Sequence, residues 1–550
     1  MFIPSSNLLQ PWFIDSDTSS KVTGMMLKTR VDALARGLQS AWGLGVYSSD
    51  LEQHREYGIC DVVGVVSRNS LDFGTMIWAC HKGGATVACV SAGGTVGEVQ
   101  HQLSLSGARA ALVHIDSLDV VLQAAEQCSI KMDRIAVSGL AGRPLREQYA
   151  ARGMRTIEQL IDQGKELLRA DLLHTADAIL RGYPRAPIAF LCFSSGTTGL
   201  PKAVILPHAA IIANVEQLTQ SSVPTSRVIA GDKALGVIPF YHIFGLVTTV
   251  HLCPKLGVAT VVFPSMPPFP VFLEKMARFR INHLFLVPPL VNAFVKHPAT
   301  PSVELTFMKS AMIAAAPLSA GVEEAFAVLG GDEFLVTQVF GMTECGGMIT
   351  GLALDRSPIP GSVATTMVHT AAKIIDDRGE SIPTGSQRRG QLCVRGPQVC
   401  LGYLNNRVAT QDAFDEDGYL YTGDVAEMSE DGNIWIVDRV KSLIKTKGYQ
   451  VPPAELEAEL LQVAFVADVA VIGKPHLRYG EVPVAFVVLS AAGEAHEKCE
   501  GTAVKETIKA AIRETKSEYK WLHEVHFLKT IPRLPSGKIL AVRLLDMLAA

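Results

Sequence analysis

A run of hydroxyl-bearing residues and glycines, directly after an apolar segment, is the strongest candidate for chemistry in this sequence. The apolar segment Ile188–Phe193 is followed by Ser194, Ser195, Gly196, Thr197, Thr198 and Gly199, with Lys202 three residues later. The glycines allow backbone N–H groups to turn toward an anion, and the hydroxyls supply further donors. Lys202 adds a positive charge for phosphate oxygens. The pattern therefore predicts a loop that binds nucleotide phosphates.

The same run differs from a Walker-type phosphate loop. Pro201 precedes the lysine, and no Gly-Lys-Ser/Thr sequence follows. A turn rich in serine, threonine and glycine is by itself most often a flexible loop. The combination of hydroxyls, glycines and a lysine after a buried strand favours phosphate binding over that alternative.

Other polar residues carry little information when each is taken alone. The pair Thr343-Glu344 is typical of a surface, and Lys538 is typical of a solvated lysine. His242 lies in an apolar stretch, where a histidine is usually a core residue bonded to a neighbour. The segment from Asp438 to Glu457 is, by itself, a basic turn before a helix.

The composition indicates a globular chain of several domains. Of its 550 residues, 48% are hydrophobic and 19% are charged, which permits large cores and excludes disorder, collagen and coiled coil. A formal net charge of −4 argues against a nucleic-acid binder with a basic surface. The ten cysteines show no metal-ligand spacing, so we expect ordinary buried thiols in a reducing compartment.

No targeting or membrane segment is predicted. Met1–Trp12 lacks the basic start and continuous apolar core of a signal peptide, and the sequence does not end in an SKL-type tripeptide. Leu235–Leu252 is long enough to span a bilayer, but it contains a proline, two glycines and two histidines. We expect this segment to be buried core with a pocket wall. The expected location is the cytoplasm, and a peroxisomal location stays open.

Strand and helix patterns alternate through the first part of the chain. Short β-branched or apolar runs such as Asp61–Val66, Ala85–Val90 and Ala108–Val113 are separated by amphipathic stretches. Further runs of this kind continue to about residue 287. This alternation predicts βαβ units and a parallel, doubly wound sheet in an α/β protein.

The pattern changes near residue 380. Regularly spaced glycines punctuate short strands such as Gln391–Val394, which predicts an antiparallel sheet. A helix is predicted over Pro452–Leu461, and β-branched strands over Val466–Gly473 and Val482–Leu489. We place a domain boundary at about residue 440. The predicted domains are a large N-terminal domain, 1–440, and a small mobile α+β domain, 441–550.

Six segments taken together resemble the adenylate-forming superfamily, within it the acyl-CoA synthetases, and most of all 4-coumarate–CoA ligase and related aryl- and fatty-acid–CoA ligases. They are the phosphate loop, Pro239–Leu246, Gln338–Gly346, Tyr421–Asp424, Asp438–Glu457 and Pro532–Leu540. The similarity runs from about Asp61 to Leu540. It implies a reaction of Mg·ATP with a carboxylic acid to give an acyl-adenylate, followed by transfer to CoA. ATP, Mg²⁺ and CoA are the implied cofactors and substrates.

The resemblance implies a role for each matching residue in the adenylation step. Phe340 would stack on adenine beside the small residues Ala315 and Ala316, with Gly341 also lining the nucleotide site. Thr343 would bind the α-phosphate, and Glu344 would hold Mg²⁺. Asp424 and Arg439 would bind the ribose. Lys538 would contact both the substrate carboxylate and the α-phosphate.

Further implied roles concern the acid and the CoA step. His242, Phe244, Thr248 and Gly341 would line the acyl pocket. Lys441 would be the hinge about which the small domain rotates. Lys445 and Gln450 match catalytic positions of the coumarate ligases, and Lys447, Gly448 and Tyr449 match the loop that lines the pantetheine tunnel.

Three departures from the family pattern bear on these roles. Ala203 stands after Lys202 where glycine is usual, which is expected to place a tolerated methyl near the phosphates. Ala364 ends the turn that starts at Gly361, near the expected mouth of the acyl pocket. The basic run usual after Leu540 retains only Arg543, which is expected to weaken CoA binding.

The substrate predicted from the sequence is an aromatic acid, cinnamate- or benzoate-like, or a medium-chain fatty acid. Two alternatives stay open. A stand-alone adenylation enzyme could pass the acyl group to a carrier-protein thiol or another acceptor, with a luciferase-like oxygenase as a remote variant. A degenerate nucleotide-binding or scaffold protein would lack turnover altogether. The expected oligomeric state is a monomer or weak dimer.

Overall fold

The computed structural model describes residues 5–44, 59, 61–140, 147–167, 187–194, 201–221, 227–229, 231–439, 442–446, 449–500, 503–534 and 537–549. Its strands, in chain order, are β1 (Pro11–Asp15), β2 (Lys21–Thr23), β3 (Val62–Val66), β4 (Thr86–Val90), β5 (Ala110–His114), β6 (Ile135–Ser138), β7 (Arg155–Thr156), β8 (Ile188–Ser194), β9 (Lys202–Pro207), β10 (Lys233–Gly236), β11 (Ala259–Val262), β12 (His283–Leu286), β13 (Ser310–Ile313), β14 (Leu335–Gln338), β15 (Gly341–Met342), β16 (Gly347–Met348), β17 (Thr350–Gly351), β18 (Thr365–Thr366), β19 (Ala371–Ile375), β20 (Ser381–Ile382), β21 (Gly390–Arg395), β22 (Leu420–Met428), β23 (Ile434–Arg439), β24 (Ile444–Thr446), β25 (Tyr449–Val451), β26 (Val466–His476), β27 (Gly480–Leu489) and β28 (Glu524–Phe527).

Helices cover and connect these strands. The α-helices are Gly24–Trp42, Phe73–Lys82, Val96–Ser106, Leu118–Gln127, Glu147–Ala150, Ile157–Glu166, His208–Ser221, Ile243–Gly245, Cys253–Leu256, Phe269–Phe279, Pro288–Lys296, Ala320–Ala327, Arg407–Gln411, Pro453–Leu460, Ala491–Glu500, Ala503–Thr515 and Ala541–Ala549. Among the described residues, no helix is long and apolar enough to cross a membrane.

The βαβ series forms two sheets of seven strands, and not the single sheet predicted from the alternation. The first parallel sheet has the order β7-β6-β5-β3-β4-β8-β9, and the second has the order β14-β13-β12-β10-β11-β1-β2. Each sheet is parallel except for one antiparallel edge strand, β9 in the first and β2 in the second. Strand pattern is local, whereas the choice of sheet depends on which distant strand each segment pairs with.

The central strands are buried on both faces. All five residues of β3, β4 and β5 are buried, as expected where helices cover both sides of a parallel sheet. The helix Val96–Ser106 between β4 and β5 begins with a capping box of Thr95 and Glu98 and ends at Gly107, whose φ is 67°. Local sequence therefore determines where this crossover helix starts and stops.

One apolar cluster joins the two parallel sheets. It contains Val63 and Phe190 from the first sheet and Ala234 and Phe285 from the second. The segment Leu246–Leu252, a stretch of π-helix, is buried throughout within this region. The apolar segment that is long enough for a membrane span is therefore part of the protein core, as the sequence predicted.

The later strands form two smaller sheets. The antiparallel sheet, β20-β19-β21-β22-β23, confirms the change of pattern predicted near residue 380. The C-terminal sheet, β25-β24-β27-β26 with β28 beside β27, is built from residues 444 onward. Apolar clusters lie on both of its faces, one containing Ile508 and the other containing Phe486. The chain therefore combines a large α/β part with a small α+β part.

Candidate active site

Predicted site residues lie in, or directly after, strands of three different sheets. Ser194 ends β8 of the first parallel sheet. Ala315 follows β13 and Phe340 follows β14, at the carboxyl ends of the second parallel sheet. Asp424 lies in β22 of the antiparallel sheet. The carboxyl ends of parallel strands are the usual place for a ligand site in an α/β fold.

The phosphate-loop prediction is only partly covered by the structure. Ser194 pairs with Lys202 across β8 and β9, so the two ends of the loop are neighbours. The ammonium of Lys202 lies 4.3 Å from the centre of the Tyr403 ring. The loop residues Ser195, Gly196, Thr197, Thr198 and Gly199 lie outside the described residues.

The predicted adenine side is fixed through its backbone. The N–H of Phe340 donates to Oγ1 of Thr350 at 2.7 Å, and its carbonyl accepts from the N–H of Ile349 at 2.8 Å. Gly341 pairs with Met348, and a Cβ at this position would lie 2.2 Å from the carbonyl oxygen of Gly347. Only glycine fits here, so Gly341 keeps β15 close to β16.

Two small residues, Ala315 and Ala316, follow β13 at the same edge of the sheet. Ala315 is exposed and has a φ of 78°, in the left-handed region that non-glycine residues rarely adopt. The side chain of Gln338 holds this segment in place. It accepts from the N–H of Leu318 at 3.1 Å and donates to Oε2 of Glu323 at 2.6 Å. The two chain segments at the predicted adenine position are thus tied to one buried amide.

Glu344 is the predicted magnesium ligand and is only 7% exposed. Its Oε1 accepts a hydrogen bond of 3.0 Å from the hydroxyl of Tyr403. Burial and the neighbouring Glu344 raise the pKa of Tyr403, so the phenol stays protonated and donates. The half-buried Thr343 precedes Glu344 in the same turn of 3₁₀-helix.

Carboxylate and hydroxyl oxygens suit Mg²⁺, a hard cation that usually keeps several waters and one or two protein ligands. The donor set at Thr343 and Glu344 therefore fits a magnesium ion that arrives with a nucleotide. Among the described residues, no group of three or more His, Cys, Asp or Glu side chains could form a metal cage.

Asp424 and Arg439 face each other across two strands. They are register partners in β22 and β23, and Nε of Arg439 lies 3.4 Å from Oδ1 of Asp424. Burial raises the pKa of Asp424 to about 6, although Arg439 and Lys538 oppose this change. The pair is therefore a buried carboxylate beside a guanidinium, which can accept and donate hydrogen bonds with vicinal hydroxyls.

Lys538 reaches this pair from the far end of the sequence. Charged groups that act on its ammonium include Arg439, Asp424 and Glu344. Burial and Arg439 lower the pKa of Lys538 to about 8, and the two carboxylates act in the opposite direction. The structure thus gathers at one place residues that are almost 200 positions apart in sequence.

The hairpin that carries Lys538 is held on both sides. Arg533 and Ile539 form its β-bridge, and Nη1 of Arg533 donates to the carbonyl of Gly537 at 3.1 Å. Nη2 of Arg533 lies 2.7 Å from Asp468 of β26. A Cβ at Gly537 would lie 3.6 Å from the Cβ of Val287, so the hairpin lies against the residue that follows β12.

The predicted acyl wall is buried and carries aromatic rings. Nδ1 of His242 accepts from the N–H of Phe244 at 3.5 Å, and burial lowers the pKa of His242 to about 4. The rings of Phe244 and Phe285 meet edge to face at 6.3 Å. Thr248 is fully buried and donates to the carbonyl of Phe244 at 2.6 Å. His242 is neutral at pH 7, so this wall carries no charge.

The structure shows the surroundings of two residues that depart from the family pattern, Ala203 and Ala364. Ala203 belongs to an apolar cluster with Leu191 and Ile205, so its methyl packs in the core. The effect of this methyl on phosphate binding stays a prediction. Ala364 has a φ of 64°, and its N–H donates to Oγ of Ser362 at 3.1 Å. An alanine in the left-handed region explains why the family pattern has glycine at this place.

Of the predicted CoA-step residues, Lys445 and Tyr449 are exposed on the hairpin of β24 and β25. Lys445 is exposed on β24, and its N–H donates to Oε2 of Glu481 at 2.8 Å. Tyr449 is 55% exposed and stacks on Tyr519, with 4.2 Å between ring centres. Gln450 pairs with Lys445 in β25. Its side chain, together with Lys441, Lys447 and Gly448, lies outside the described residues.

Three contributors were missed by the sequence analysis. Tyr403 contacts both Lys202 and Glu344, Gln338 ties the adenine-side segments together, and Asn214 bonds the backbone N–H and carbonyl of Met348. Gln338 begins the segment Gln338–Gly346, but no role was predicted for it, and Asn214 and Tyr403 lie outside the six segments. The glycine directly before Tyr403 was the only local signal, and it indicates a turn and no particular partner.

Comparisons with known proteins show which family and fold the chain is similar to. The model of the family "AMP-binding enzyme" matches residues 10–404, and that of "AMP-binding enzyme C-terminal domain" matches residues 455–538. The chain is 34% identical over 500 residues to 4-coumarate–CoA ligase 2 of Oryza sativa subsp. japonica, covering 89% of this chain and 84% of the relative. It is 40% identical over 354 residues to 4-coumarate–CoA ligase 2 of Narcissus pseudonarcissus, covering 63% and 60% of the two chains.

Among solved structures, a benzoate CoA ligase from Burkholderia xenovorans LB400 shares the fold. The TM-score is 0.79 at 20% identity, covering 98% of this chain and 97% of that one. The large α/β part and the small α+β part thus occur together in a known architecture.

Proposed function

The chain belongs to the AMP-binding enzyme family and is an AMP-forming acid–CoA ligase, and from that premise we propose that it activates an aromatic or medium-chain carboxylic acid. The reaction uses ATP with Mg²⁺ and consumes CoA as a substrate. The acid first forms an acyl-adenylate with release of pyrophosphate, and CoA then displaces AMP.

The position of Lys538 is the observation that carries the assignment of site residues. Its ammonium is acted on by Asp424, Arg439 and Glu344, at the place where the ribose, α-phosphate and metal are assigned. Negative charge builds on the α-phosphate oxygens when the acid carboxylate attacks phosphorus. A lysine held there offsets this charge without a covalent step. Glu344 holds the Mg²⁺, which when bound supplies positive charge to the phosphate oxygens.

The other assigned residues bind and orient ATP. Asp424 accepts hydrogen bonds from the ribose hydroxyls, with Arg439 as a further ribose contact. Phe340 presents its ring to the adenine, next to the small residues Ala315 and Ala316. Thr343 bonds the α-phosphate, and Lys202 contributes charge at the phosphate loop. These groups fix the α-phosphorus in front of the acid, and positioning of this kind lowers a barrier by about 7–11 kcal/mol.

The proposed substrate class follows from the wall around His242. The neutral imidazole, the Phe244–Phe285 pair and the buried Thr248 leave an apolar surface on which a second carboxylate would be unfavourable. An aryl acid, cinnamate- or benzoate-like, fits this surface, and so does a medium-chain fatty acid. Identity to 4-coumarate–CoA ligases supports the aryl acids.

The CoA step requires a second arrangement of the chain. Lys538 must leave the adenylate, and Lys445, Lys447, Gly448, Tyr449 and Gln450 must approach it. We propose rotation of the part after residue 440 about Lys441 as the movement that exchanges them. A monomer or weak dimer in the cytoplasm remains the prediction from the sequence.

The experiment that tests this function measures AMP and pyrophosphate release from Mg·ATP with a panel of acids, with and without CoA. The panel contains benzoates, cinnamates, phenylacetate, fatty acids from C6 to C16 and, as a test of the contrary, a dicarboxylic acid. CoA-dependent AMP formation with one class supports the proposal and identifies the acid. Pyrophosphate release that never depends on CoA would favour a different acceptor, and turnover only with a dicarboxylic acid would contradict the apolar pocket.

A further inference from the structure

The segment Cys400–Leu404 connects two parts of the active site that are far apart in sequence. Its backbone is hydrogen-bonded to β9 at three positions: Leu401 to Ile205, Ile205 to Gly402 and Leu404 to Ala203, each at 2.9–3.0 Å. At its other end, the N–H of Cys400 donates to the carbonyl of Glu344 at 2.8 Å. The segment is therefore fixed both to the strand that begins with Lys202 and to the turn that carries Glu344.

Tyr403 is the residue of this segment that points into the site. Its side chain is 9% exposed, its N–H donates to Oγ1 of Thr410 at 2.9 Å, and its hydroxyl donates to Oε1 of Glu344 at 3.0 Å. The ring presents its face to the ammonium of Lys202 at 4.3 Å. One side chain thus contacts both the predicted metal ligand and the predicted phosphate lysine.

The two charges that Tyr403 contacts do not neutralise each other. In the described part of the chain, the salt bridges within 4.0 Å do not include one between Lys202 and Glu344. A direct ion pair would have to break before the cation could bind the carboxylate and the phosphates could bind the ammonium. With Tyr403 in place, Lys202 rests on a ring face, and the second oxygen of Glu344 is left to the cation.

We propose that Tyr403 is a positioning residue for Mg·ATP binding, which holds Glu344 in the orientation that the metal requires and keeps Lys202 beside it without pairing the two. The inference rests on the proposed role of Glu344 as the magnesium ligand. Groups that orient a metal ligand typically change metal affinity by about 10–100-fold when they are removed. The hydroxyl and the ring of Tyr403 have separate roles. The hydroxyl orients Glu344 for the metal, and the ring positions Lys202 for the phosphates.

Two substitutions separate these roles. Tyr403→Phe removes the hydroxyl and keeps the ring under Lys202. Tyr403→Leu removes both. Tyr419→Phe is the matched control, because Tyr419 also carries a lysine over its ring, Lys373 at 4.4 Å, but lies directly before β22 and has no contact with a proposed metal ligand among the described residues.

The test is equilibrium binding of ATP by calorimetry at a series of Mg²⁺ concentrations and in EDTA, with thermal unfolding of each variant as a check on folding. In Tyr403→Phe, the Mg²⁺ concentration needed for half-maximal ATP binding should rise about 10-fold, while binding in EDTA is unchanged. Tyr403→Leu should weaken ATP binding in EDTA as well. Tyr419→Phe should match the unsubstituted protein.

Three outcomes would overturn the proposal. Tyr403→Phe could bind ATP with unchanged Mg²⁺ dependence, or its affinity for ATP could fall by the same factor with and without Mg²⁺. Glu344→Gln, tested in parallel, could leave the Mg²⁺ dependence unchanged, which would remove the assignment of Glu344 and the role of Tyr403 with it. Because Glu344→Gln tests the premise and Tyr403→Phe tests the inference, the two failures are distinguishable. If Tyr403→Leu does not fold, Tyr403→Phe alone decides.

Discussion

Two hairpins of the C-terminal part differ in what surrounds them. The hairpin closed by Arg533 and Ile539 lies against Val287 and places Lys538 beside Asp424. The hairpin of β24 and β25 carries Lys445 and Tyr449 on an exposed surface. One proposed set of catalytic groups is thus in the site while the other faces solvent. On the proposed roles, the groups for adenylation are the ones in the site, and we propose that the CoA step requires the two hairpins to exchange places.

The largest expected effect comes from removing the lysine that is already in place. Lys538→Ala should reduce pyrophosphate release by on the order of 10²-fold or more, because the charge on the α-phosphate oxygens loses its partner. Thioester formation from supplied acyl-adenylate should change far less. The measurement is the rate of each half-reaction, with Lys529→Ala, an exposed lysine of the same region, as the control. Equal losses in both half-reactions would contradict the proposal that the Lys538 hairpin serves adenylation alone.

The pH dependence of adenylation should reflect the titration of Lys538, on the same hairpin, and of its neighbour Asp424. Lys538 has a pKa of about 8, and its amine must be protonated to act. The kcat/KM for ATP should therefore fall as the pH rises above 8. Asp424 has a pKa of about 6, and its carboxyl group must be ionised to accept hydrogen bonds from the ribose hydroxyls. The kcat/KM for ATP should therefore also fall below pH 6. Each limb approaches about a tenfold loss per pH unit beyond the pKa.

Lys538→Arg is the variant that checks this assignment, because a guanidinium stays charged over the whole range. Its residual adenylation activity should lose the alkaline limb and retain the acid limb. An alkaline limb that persists unchanged in Lys538→Arg would show that another group titrates. Thioester formation from supplied acyl-adenylate should show no fall near pH 8.

The exposed hairpin should give the opposite partition of effects. Tyr449→Ala removes an aromatic surface from the loop proposed to line the CoA tunnel, and thioester formation should fall by up to about 10-fold while adenylation stays within about twofold. Tyr519→Ala is the matched control, because it removes the stacking partner and leaves Tyr449 in place. An equal loss in both variants would assign the effect to the stack, and a loss in adenylation by Tyr449→Ala would contradict the comparison.

Part of this architecture could be predicted from local pattern and part could not. The strands β3, β4 and β5 and their crossover helices follow from β-branched runs, a capping box and a helix-ending glycine, all of which act within a few residues. The division into two parallel sheets depends on pairing between distant strands, such as β1 with β11. Sequence periodicity contains no information on that choice.

The site shows the same division. The phosphate loop could be proposed from local sequence because hydroxyls, glycines and a lysine are adjacent there, and it stays a prediction. Asp424, Arg439 and Lys538 carried a role only through resemblance to a family, since their proximity arises from strand register and from the docking of a hairpin. Tyr403 was not predicted, because its function depends on two contacts with residues 59 and 201 positions away.

The smallest expected effect concerns how firmly the Lys538 hairpin is held. Arg533 donates to Gly537 and pairs with Asp468 at the same time, which a guanidinium can do and a single ammonium cannot do with the same geometry. Arg533→Lys should keep the charge near Asp468 and lose the bond to the Gly537 carbonyl. Adenylation should then fall by about fivefold, since one hydrogen bond contributes on the order of 1 kcal/mol.

The rate of thioester formation is the readout that separates this role from general stability. In Arg533→Lys that rate, measured from supplied acyl-adenylate, should be unchanged, because in the proposed CoA step Lys538 has left the site. Asp468→Asn weakens the other contact of Arg533 and should reproduce the direction of the effect. If Arg533→Lys slows both half-reactions equally, the hairpin contact supports folding and not the arrangement for adenylation. A loss of adenylation alone would show that the contacts of Arg533 with the Lys538 hairpin favour the arrangement for adenylation over the arrangement for thioester formation.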